Sequence, residues 1–224
     1  MKRMLLAPLF LLAAGCAGNG GAGERMTETD FETKIASAIA FDPALLKVGD
    51  RVIYFVKRSG ENQSQKYTWS AVGEDAGAVW IENKVPFDAR PMIVKTKVER
   101  SGKVLEQWIG EPGGVPGKTY PTGRNEEGPR PVRDASAAKA DSKEEFDRIT
   151  MSGKPYDCTR VTTNLVYPDG RKSTMINWFS KDVPFAASKA LGGLVKRQFG
   201  RLTMELVTGD HGGQPEMQIP SPMK

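Results

Sequence analysis

The stretch that decides the fold spans residues 160–179 and reads RVTTNLVYPDGRKSTMINWF. Two runs rich in β-branched and aromatic residues, Arg160–Tyr167 and Arg171–Phe179, flank the tripeptide Pro168-Asp169-Gly170. This arrangement is a strong hairpin signal, because Pro presets the first turn angle and Gly tolerates a positive φ. The stretch therefore predicts two antiparallel strands joined by a tight turn.

The same pattern of short strand-forming runs separated by turn residues extends through most of the chain. Met92–Arg100 alternates apolar and polar residues, which indicates a strand with one buried face and one face in water. With the hairpin, we predict about nine strands and a mainly β (α+β) fold, a curved antiparallel sheet or a half-open barrel. The other six strands are Arg51–Arg58, Lys66–Val72, Ala78–Asn83, Val104–Ile109, Leu194–Phe199 and Leu202–Thr208.

One or two helices are expected to pack on this sheet. Thr29 and Glu32 form a capping-box pattern, and apolar residues at helical spacing follow, which predicts a helix over residues 30–41. Asp42-Pro43 should end it. Ala186–Leu191 is the candidate for a second helix.

Residues 112–145 interrupt the strand pattern with a polar stretch that contains five Pro, five Gly and twelve charged residues. Such a segment buries too little apolar surface to offset the entropy of ordering it. We therefore predict a mobile loop at 112–145 inside a single domain of residues 30–210. Residues 211–224 are predicted to form a flexible tail.

The N-terminus predicts export from the cytoplasm. Lys2 and Arg3 precede the apolar run Met4–Leu12, whose nine residues rise only about 13 Å as a helix, against a bilayer core of roughly 30 Å. Ala13-Ala14-Gly15 then leads into Cys16, and this pattern resembles the lipobox of bacterial lipoproteins. The resemblance implies that residues 1–15 are a signal peptide and that Cys16 is lipidated after cleavage. An ordinary secretory signal is the alternative.

Residues 16–29 are small and polar and are predicted to form a flexible tether with a reach of roughly 20 Å. By resemblance to lipoprotein sorting, Ala17 after the cysteine implies the outer membrane, and we expect its periplasmic face. The predicted membrane contact is therefore the N-terminal lipid anchor. The net charge of +5 falls to about +3 without Lys2 and Arg3 and is spread along the chain, so no nucleic-acid partner is expected.

No motif predicts catalysis. Gly117-Lys118-Thr119 lacks the glycine spacing of a phosphate-binding loop, and Ser136-Ala-Ala-Lys139 lacks the companion motifs of penicillin-binding enzymes. His211, the only histidine, lies among glycines and is expected to be solvated. Cys158 has no intramolecular partner if Cys16 is acylated, and it is expected to be a small buried residue. No catalytic residue, metal site or cofactor is predicted, and the protein is not expected to be an enzyme.

Four tryptophans on predicted strands are the remaining candidates for function. They either fill an ordinary core between sheet and helix or line an apolar concavity that holds a lipid tail. The four are Trp69, Trp80, Trp108 and Trp178.

A lipobox, an early helix and an antiparallel meander with aromatic-rich strands resemble the Lol-type lipoprotein carriers and outer-membrane receptors. The resemblance covers residues 46–111 and 146–210. It implies a curved sheet that accommodates a lipid or lipoprotein ligand. The stretches that carry it are Trp69–Glu74, Ala78–Glu82, Asn177–Pro184, Gly193–Lys196 and Met204–Val207.

Two functions stay open at this point. The first is a lipid-anchored, periplasmic-side binding module that accommodates an acyl chain or a lipidated peptide, with the four tryptophans lining the site. The second is a non-enzymatic structural or interaction lipoprotein of an outer-membrane-associated complex. In that case the aromatic residues are core, and the loop at 112–145 or an exposed strand edge docks an envelope protein.

Overall fold

The computed structural model of the protein describes residues 39–87, 90–120, 139–166 and 170–219. Within these ranges the chain forms one short 3₁₀ helix, Pro43–Leu45, and eleven strands. The strands are β1 (Arg51–Arg58), β2 (Ser64–Asp75), β3 (Ala78–Phe87), β4 (Arg90–Glu99), β5 (Val104–Gly110), β6 (Gly117–Tyr120), β7 (Lys139–Met151), β8 (Lys154–Val166), β9 (Lys172–Ser180), β10 (Gly193–Phe199) and β11 (Leu202–Asp210).

All eleven strands belong to one open antiparallel sheet with the order β6-β5-β4-β3-β2-β1-β11-β10-β9-β8-β7. Two meanders meet in the middle, where β1 pairs with β11. The strands β6 and β7, neighbours in sequence, therefore form the two opposite edges. Register shifts interrupt several ladders, as in β2 between Ala71 and Gly73, and such bulges increase the local twist of a sheet.

The nine predicted strands are all present. Of the two further strands, β6 lies inside the segment predicted to be a loop, and β7 begins inside it and continues to Met151. That prediction, for residues 112–145, is wrong at both ends: β6 pairs with β5, and β7 pairs with β8 along its whole length. The strand β7 needs little apolar burial, because the ladder with β8 pairs the backbone groups on one of its sides and water can solvate those on the other. Residues 121–138, and the turn residues 167–169 of the hairpin, lie outside the described residues.

The described residues contain no α-helix. Residues 30–38 of the predicted first helix lie outside the described ranges, and residues 39–41 are not helical. The second predicted helix, Ala186–Leu191, is wrong. Its backbone bonds instead to neighbouring loop and strand, since Ala186 bridges to Gly193 and Ala187 N donates to Gly192 O at 2.8 Å.

The core covers one face of the sheet, here called the core face. On β1, Val52, Tyr54 and Val56 point to it and are at most 5% exposed, as alternation along a strand requires. Two non-strand segments cover this face, residues 39–46 and 181–192. Their aromatic rings meet where Phe41 packs edge-on against Phe185, with ring centroids 5.5 Å apart.

Polar groups within this core are paired. The Tyr54 hydroxyl donates to Leu194 O at 2.7 Å, and Arg197 Nε donates to Asn177 Oδ1 at 2.6 Å. Burial raises the pKa of Tyr54 and lowers the pKa of Arg197 to about 10, because a low-dielectric surrounding disfavours the charged form of each. The core face is therefore closely packed around the fixed polar groups of these residues.

Candidate functional site

The four candidate tryptophans do not meet at one place. Trp69 and Trp178 belong to the packed core and are only 4% and 8% exposed. Trp69 packs between Tyr54 and Tyr67, with ring centroids 5.7 and 5.9 Å away. Trp80 and Trp108 are half-buried and lie outside the core cluster.

Trp80 and Trp108 share the opposite side of the sheet, here called the outer face. On β3 the buried Val79 and Ile81 point to the core face, so Trp80 and Glu82 point the other way. Across the ladders, Trp80 opposes Lys97, Glu82 opposes Lys95, and Lys95 opposes Trp108. The two tryptophans therefore lie diagonally across β4 on one surface.

A segment at the C-terminal end crosses this outer face. Residues 213–219, here called the C-terminal strap, are held by their backbone: Glu216 N donates to Glu82 Oε2 at 2.8 Å and Met217 N to Glu82 Oε1 at 3.1 Å. Lys95 Nζ donates to Met217 O at 2.6 Å. The Met217 side chain is 1% exposed, and it packs close to Gly110 on β5.

The acid and the base that hold the strap are themselves a buried ion pair. Lys95 Nζ lies 3.0 Å from Glu82 Oε1, and the two side chains are 9% and 4% exposed. A buried pair offsets its desolvation cost only when further hydrogen bonds satisfy both charges. The strap supplies these bonds through the backbone of Glu216 and Met217, so pair and strap stabilise each other.

The start of the strap is fixed to the beginning of β1. Gly213 N donates to Gly49 O at 2.8 Å, and His211 Nδ1 lies 2.7 Å from Asp50 Oδ1. Gly49 has φ +95°, and a Cβ there would lie 2.8 Å from the His211 carbonyl oxygen, so this approach requires glycine. The prediction of a flexible tail over residues 211–224 is therefore wrong for 211–219. Residues 220–224 lie outside the described residues.

Two clefts of the outer face are lined by residues of the strap. The first, here called the tryptophan cleft, has a volume of about 620 Å³ and is lined by Trp80, Trp108, Lys97, Lys118, Pro215 and Ile219 among others. The second, here called the basic cleft, has a volume of about 570 Å³ and is lined by Arg51, Ile53, Lys66, Lys84, Arg90 and Glu216 among others. Both volumes fall within the range of small-molecule sites, about 300–1,000 Å³.

The tryptophan cleft is electrically balanced. Lys97 Nζ lies 5.5 Å from the Trp80 ring centroid and pairs with Asp75. Lys118 Nζ lies 5.4 Å from the Trp108 ring centroid and is 2.7 Å from Glu106. Because each of these ammonium groups already has a carboxylate, the charges in the cleft are paired, and a ligand meets them together with the apolar surface of Trp80, Trp108 and Ile219.

The indole N–H of Trp108 is buried and has no hydrogen-bond partner among the described residues. Buried donors are almost always paired, so an unpaired one has room for a partner such as an ordered water or a polar group of a ligand. The same ring forms part of the cleft lining. Trp108 therefore combines an apolar surface with an unused donor at one site.

Cys158 has the environment of a structural thiol. Its side chain is 2% exposed in the core cluster, and burial, together with nearby Asp147, Asp157 and Asp182, raises its pKa to about 11. A nucleophilic cysteine needs a depressed pKa and an open approach. The arrangement is that of a small core residue, as the sequence predicts.

Neither metal-ligand clusters nor membrane-spanning helices are found in the parts of the chain that the structure describes. No group of three or more His, Cys, Asp or Glu side chains is arranged to hold a metal ion there. No described helix is long and apolar enough to cross a bilayer.

Comparison with known proteins gives remote structural matches only. No family model and no curated protein matches the chain. The crystal structure of MucB in complex with MucA(peri) aligns with 74% of this chain at 13% identity and a TM-score of 0.39, over about half (51%) of the MucB chain. A DUF1329 family protein from Desulfovibrio piger aligns with 71% of this chain and 83% of its own at 10% identity and a TM-score of 0.27. Similarity at this level does not identify a function.

Sequence reasoning missed the Glu82–Lys95 pair and the strap. One signal was available: within the run Trp80-Ile-Glu-Asn-Lys84, strand alternation places Trp80 and Glu82 on the face opposite Ile81. An acidic residue beside a tryptophan on one strand face, with alternating lysines on the next strand, indicates a second polar and aromatic surface. Nothing in the sequence of residues 213–219 indicates what covers that surface.

Proposed function

We propose that this protein is a non-enzymatic binding module for an acyl chain, carried by a lipid or a lipidated peptide, and that the tryptophan cleft is the site. The observation that carries the proposal is the position of Trp80 and Trp108. Both rings are half-buried on one surface, beneath a strap that contributes Pro215 and Ile219 to the same cleft. The expected lipid anchor at Cys16 and the expected outer-membrane location belong to the same proposal.

The chemistry of the cleft supports an acyl chain over a charged ligand. A hydrocarbon chain gains free energy from leaving water in proportion to the apolar area it buries, roughly 25 cal/mol per Å². The two indole faces and the Ile219 side chain provide such area. The ammonium groups of Lys97 and Lys118 are already paired with Asp75 and Glu106, so they add little attraction for a free anion.

The packing of the core face supports the same location. Trp69 lies among closely packed side chains on the core face, which the segments at 39–46 and 181–192 cover. Trp178 is also buried in a packed cluster, and its indole N–H donates to Asp147 Oδ2 at 2.8 Å. An acyl chain on the core face would have to displace Phe41 or Phe185 from their mutual contact. Binding on the outer face requires no such loss of core packing.

The test is the affinity of the full chain for hexadecanoic acid, measured by calorimetry for the wild type and for the double variant Trp80→Ser/Trp108→Ser. The expected result is a loss of affinity of about tenfold or more, since each indole buries apolar area against the chain. The matched control is Phe146→Ser, which removes an aromatic ring that is 76% exposed on the edge strand β7. Unchanged affinity in a folded double variant would contradict the proposal.

A second candidate function, docking of an envelope protein, is favoured by the edge strand β7. This strand is thirteen residues long, borders the sheet and exposes Phe146. An edge of this kind can accept an added strand from a partner. Cross-linking from position 144, which is exposed on the same side of β7 as Phe146, tests it in intact cells. Phe146→Asp should abolish a partner-specific adduct, and a cross-link pattern identical to that from an exposed residue such as Lys189 would contradict it.

A further inference from the structure

The basic cleft carries more positive than negative charge. Its lining includes four cationic side chains and one carboxylate, that of Glu216. Arg51 is engaged in a two-point contact with Asp210, at 3.0 and 2.8 Å, and Lys84 lies 2.6 Å from Glu216. The remaining two cations, Lys66 and Arg90, are held much more loosely.

Lys66 and Arg90 are available to a ligand. Lys66 has no ion-pair partner among the described residues, and its side chain is exposed. Arg90 lies 3.6 Å from Glu111, with the two side chains 76% and 49% exposed, and a loose exposed pair of this kind contributes little free energy. An incoming anion can therefore engage both groups without breaking a strong contact.

The chain itself already places a carboxylate in this cleft. Glu216, on the strap, enters the lining and pairs with Lys84. Around that contact the cleft adds the hydroxyls of Thr68 and Ser70, and the apolar Ile53, Pro86 and Pro91. Cations, hydroxyl donors and apolar rings in one cleft match a group that is anionic at one point and aliphatic beside it.

The neighbouring hairpin end adds an exposed apolar side chain. Phe87, at the end of β3, is 50% exposed and pairs with Arg90 across the β3–β4 ladder. An exposed aromatic residue beside a basic residue is the composition that favours the interface of an anionic bilayer.

We propose that the basic cleft binds the phosphate headgroup of an anionic lipid, with Lys66 and Arg90 as the principal contacts. The proposal rests on the proposed function, since it names the ligand class as an anionic phospholipid whose acyl chain occupies the tryptophan cleft across the strap. Inorganic phosphate shares the charge but lacks the aliphatic part that Ile53, Pro86 and Pro91 contact.

The test titrates the full chain with dihexanoylphosphatidylglycerol, kept below its critical micelle concentration, and with dihexanoylphosphatidylcholine as the zwitterionic reference. A Cys16→Ala background removes the expected acylation site from every sample. The wild type should prefer the anionic lipid, and Lys66→Gln/Arg90→Gln should weaken that binding roughly 30-fold, from about 1 kcal/mol per basic residue and ~1.4 kcal/mol per tenfold change. The control pair Lys143→Gln/Arg148→Gln removes the same charge from β7 and should change nothing.

A second arm separates the two sources of the headgroup. Co-sedimentation with phosphatidylglycerol vesicles should also weaken in Lys66→Gln/Arg90→Gln if the cleft meets lipids in a bilayer, whereas loss in the monomer titration alone identifies free lipid as the ligand. Either result supports the site. Equal affinity for the two headgroups, or a double variant that binds like the control pair, would overturn it.

The two proposals fail separately. If Trp80→Ser/Trp108→Ser abolishes hexadecanoic acid binding while Lys66→Gln/Arg90→Gln retains the full headgroup preference, the acyl site stands and the phosphate site does not. If the headgroup preference depends on Lys66 and Arg90 while the double variant Trp80→Ser/Trp108→Ser binds hexadecanoic acid like the wild type, the basic cleft binds the headgroup and the acyl chain lies elsewhere.

Discussion

The two faces of the sheet use the same residue type in opposite ways. Trp69 on β2 and Trp80 on β3 lie on paired strands, yet Trp69 is 4% exposed between Tyr54 and Tyr67, while Trp80 is half-buried beneath lysines. The core face is covered by segments with large apolar side chains. The outer face is covered by a narrow strap held through a buried ion pair. The difference shows that the covering segment affects how deeply an aromatic strand residue is buried.

Replacing Trp69 should lower the free energy of unfolding far more than replacing Trp80. Trp69→Ala should lower the free energy of unfolding by about 3–5 kcal/mol, because it leaves a cavity in a packed cluster. Trp80→Ala should lower it by less, about 1–2 kcal/mol, since its ring is only partly buried. Urea unfolding of both variants measures the difference. Equal losses would mean that the outer face is as much a core as the other.

The next effect concerns the pair that holds the strap. Lys95→Met leaves the Glu82 carboxylate buried without its cation, and the free energy of unfolding should fall by about 3 kcal/mol. Glu82→Gln/Lys95→Met removes both charges and should cost less than the single variant. Under conditions in which the protein stays folded, hydrogen exchange at the Met217 N–H should be faster in Lys95→Met than in the wild type.

A strap that stays equally protected in Lys95→Met would contradict this role of the pair. Among the described residues, no element covering the core face is attached through an ion pair as deeply buried as Glu82–Lys95.

A smaller change in unfolding free energy than in Trp69→Ala or Lys95→Met is expected from Cys158 in the core, and it depends on pH. Burial raises the pKa of Cys158 to about 11, so the folded state favours the neutral thiol. That contribution is complete below the unfolded pKa, about 8.5, and is lost as pH rises toward 11. Between pH 7 and pH 10 the wild type should lose about 2 kcal/mol more of its unfolding free energy than Cys158→Ala, which carries no titrating group there. Identical pH dependence in the two proteins would contradict the burial of the thiol.

The strands were predictable from local sequence because their alternation and turn residues act over short distances. The run Arg51–Arg58 was placed with its observed bounds. The strands β6 and β7 were not, because a polar edge strand gains its stability from the ladder with its neighbour rather than from an apolar face. Rules based on composition detect stabilisation by an apolar face but not stabilisation by backbone pairing with a neighbouring strand.

The candidate site was predictable only in part. Trp80 and Trp108 were among the residues proposed from the sequence, but their separation from Trp69 and Trp178 depends on which face each strand buries. Two bulges shift the pairing near these residues, at Ala71/Gly73 and at Gln107/Trp108. A bulge changes the side to which later residues point, and it has no reliable signature in a single sequence. The strap depends on contacts more than a hundred residues apart, such as Glu82 with Met217.

We expect a ligand's acyl chain to contact the outer tryptophans and not the core tryptophans. Hexadecanoic acid brominated along its chain quenches the fluorescence of any indole that it contacts. In Trp69→Phe/Trp178→Phe, which keeps the outer pair, strong saturable quenching is expected. In Trp80→Phe/Trp108→Phe, which keeps the core pair, almost none is expected. Quenching of the core pair with the outer pair unaffected would show that the tryptophan cleft is not the acyl site.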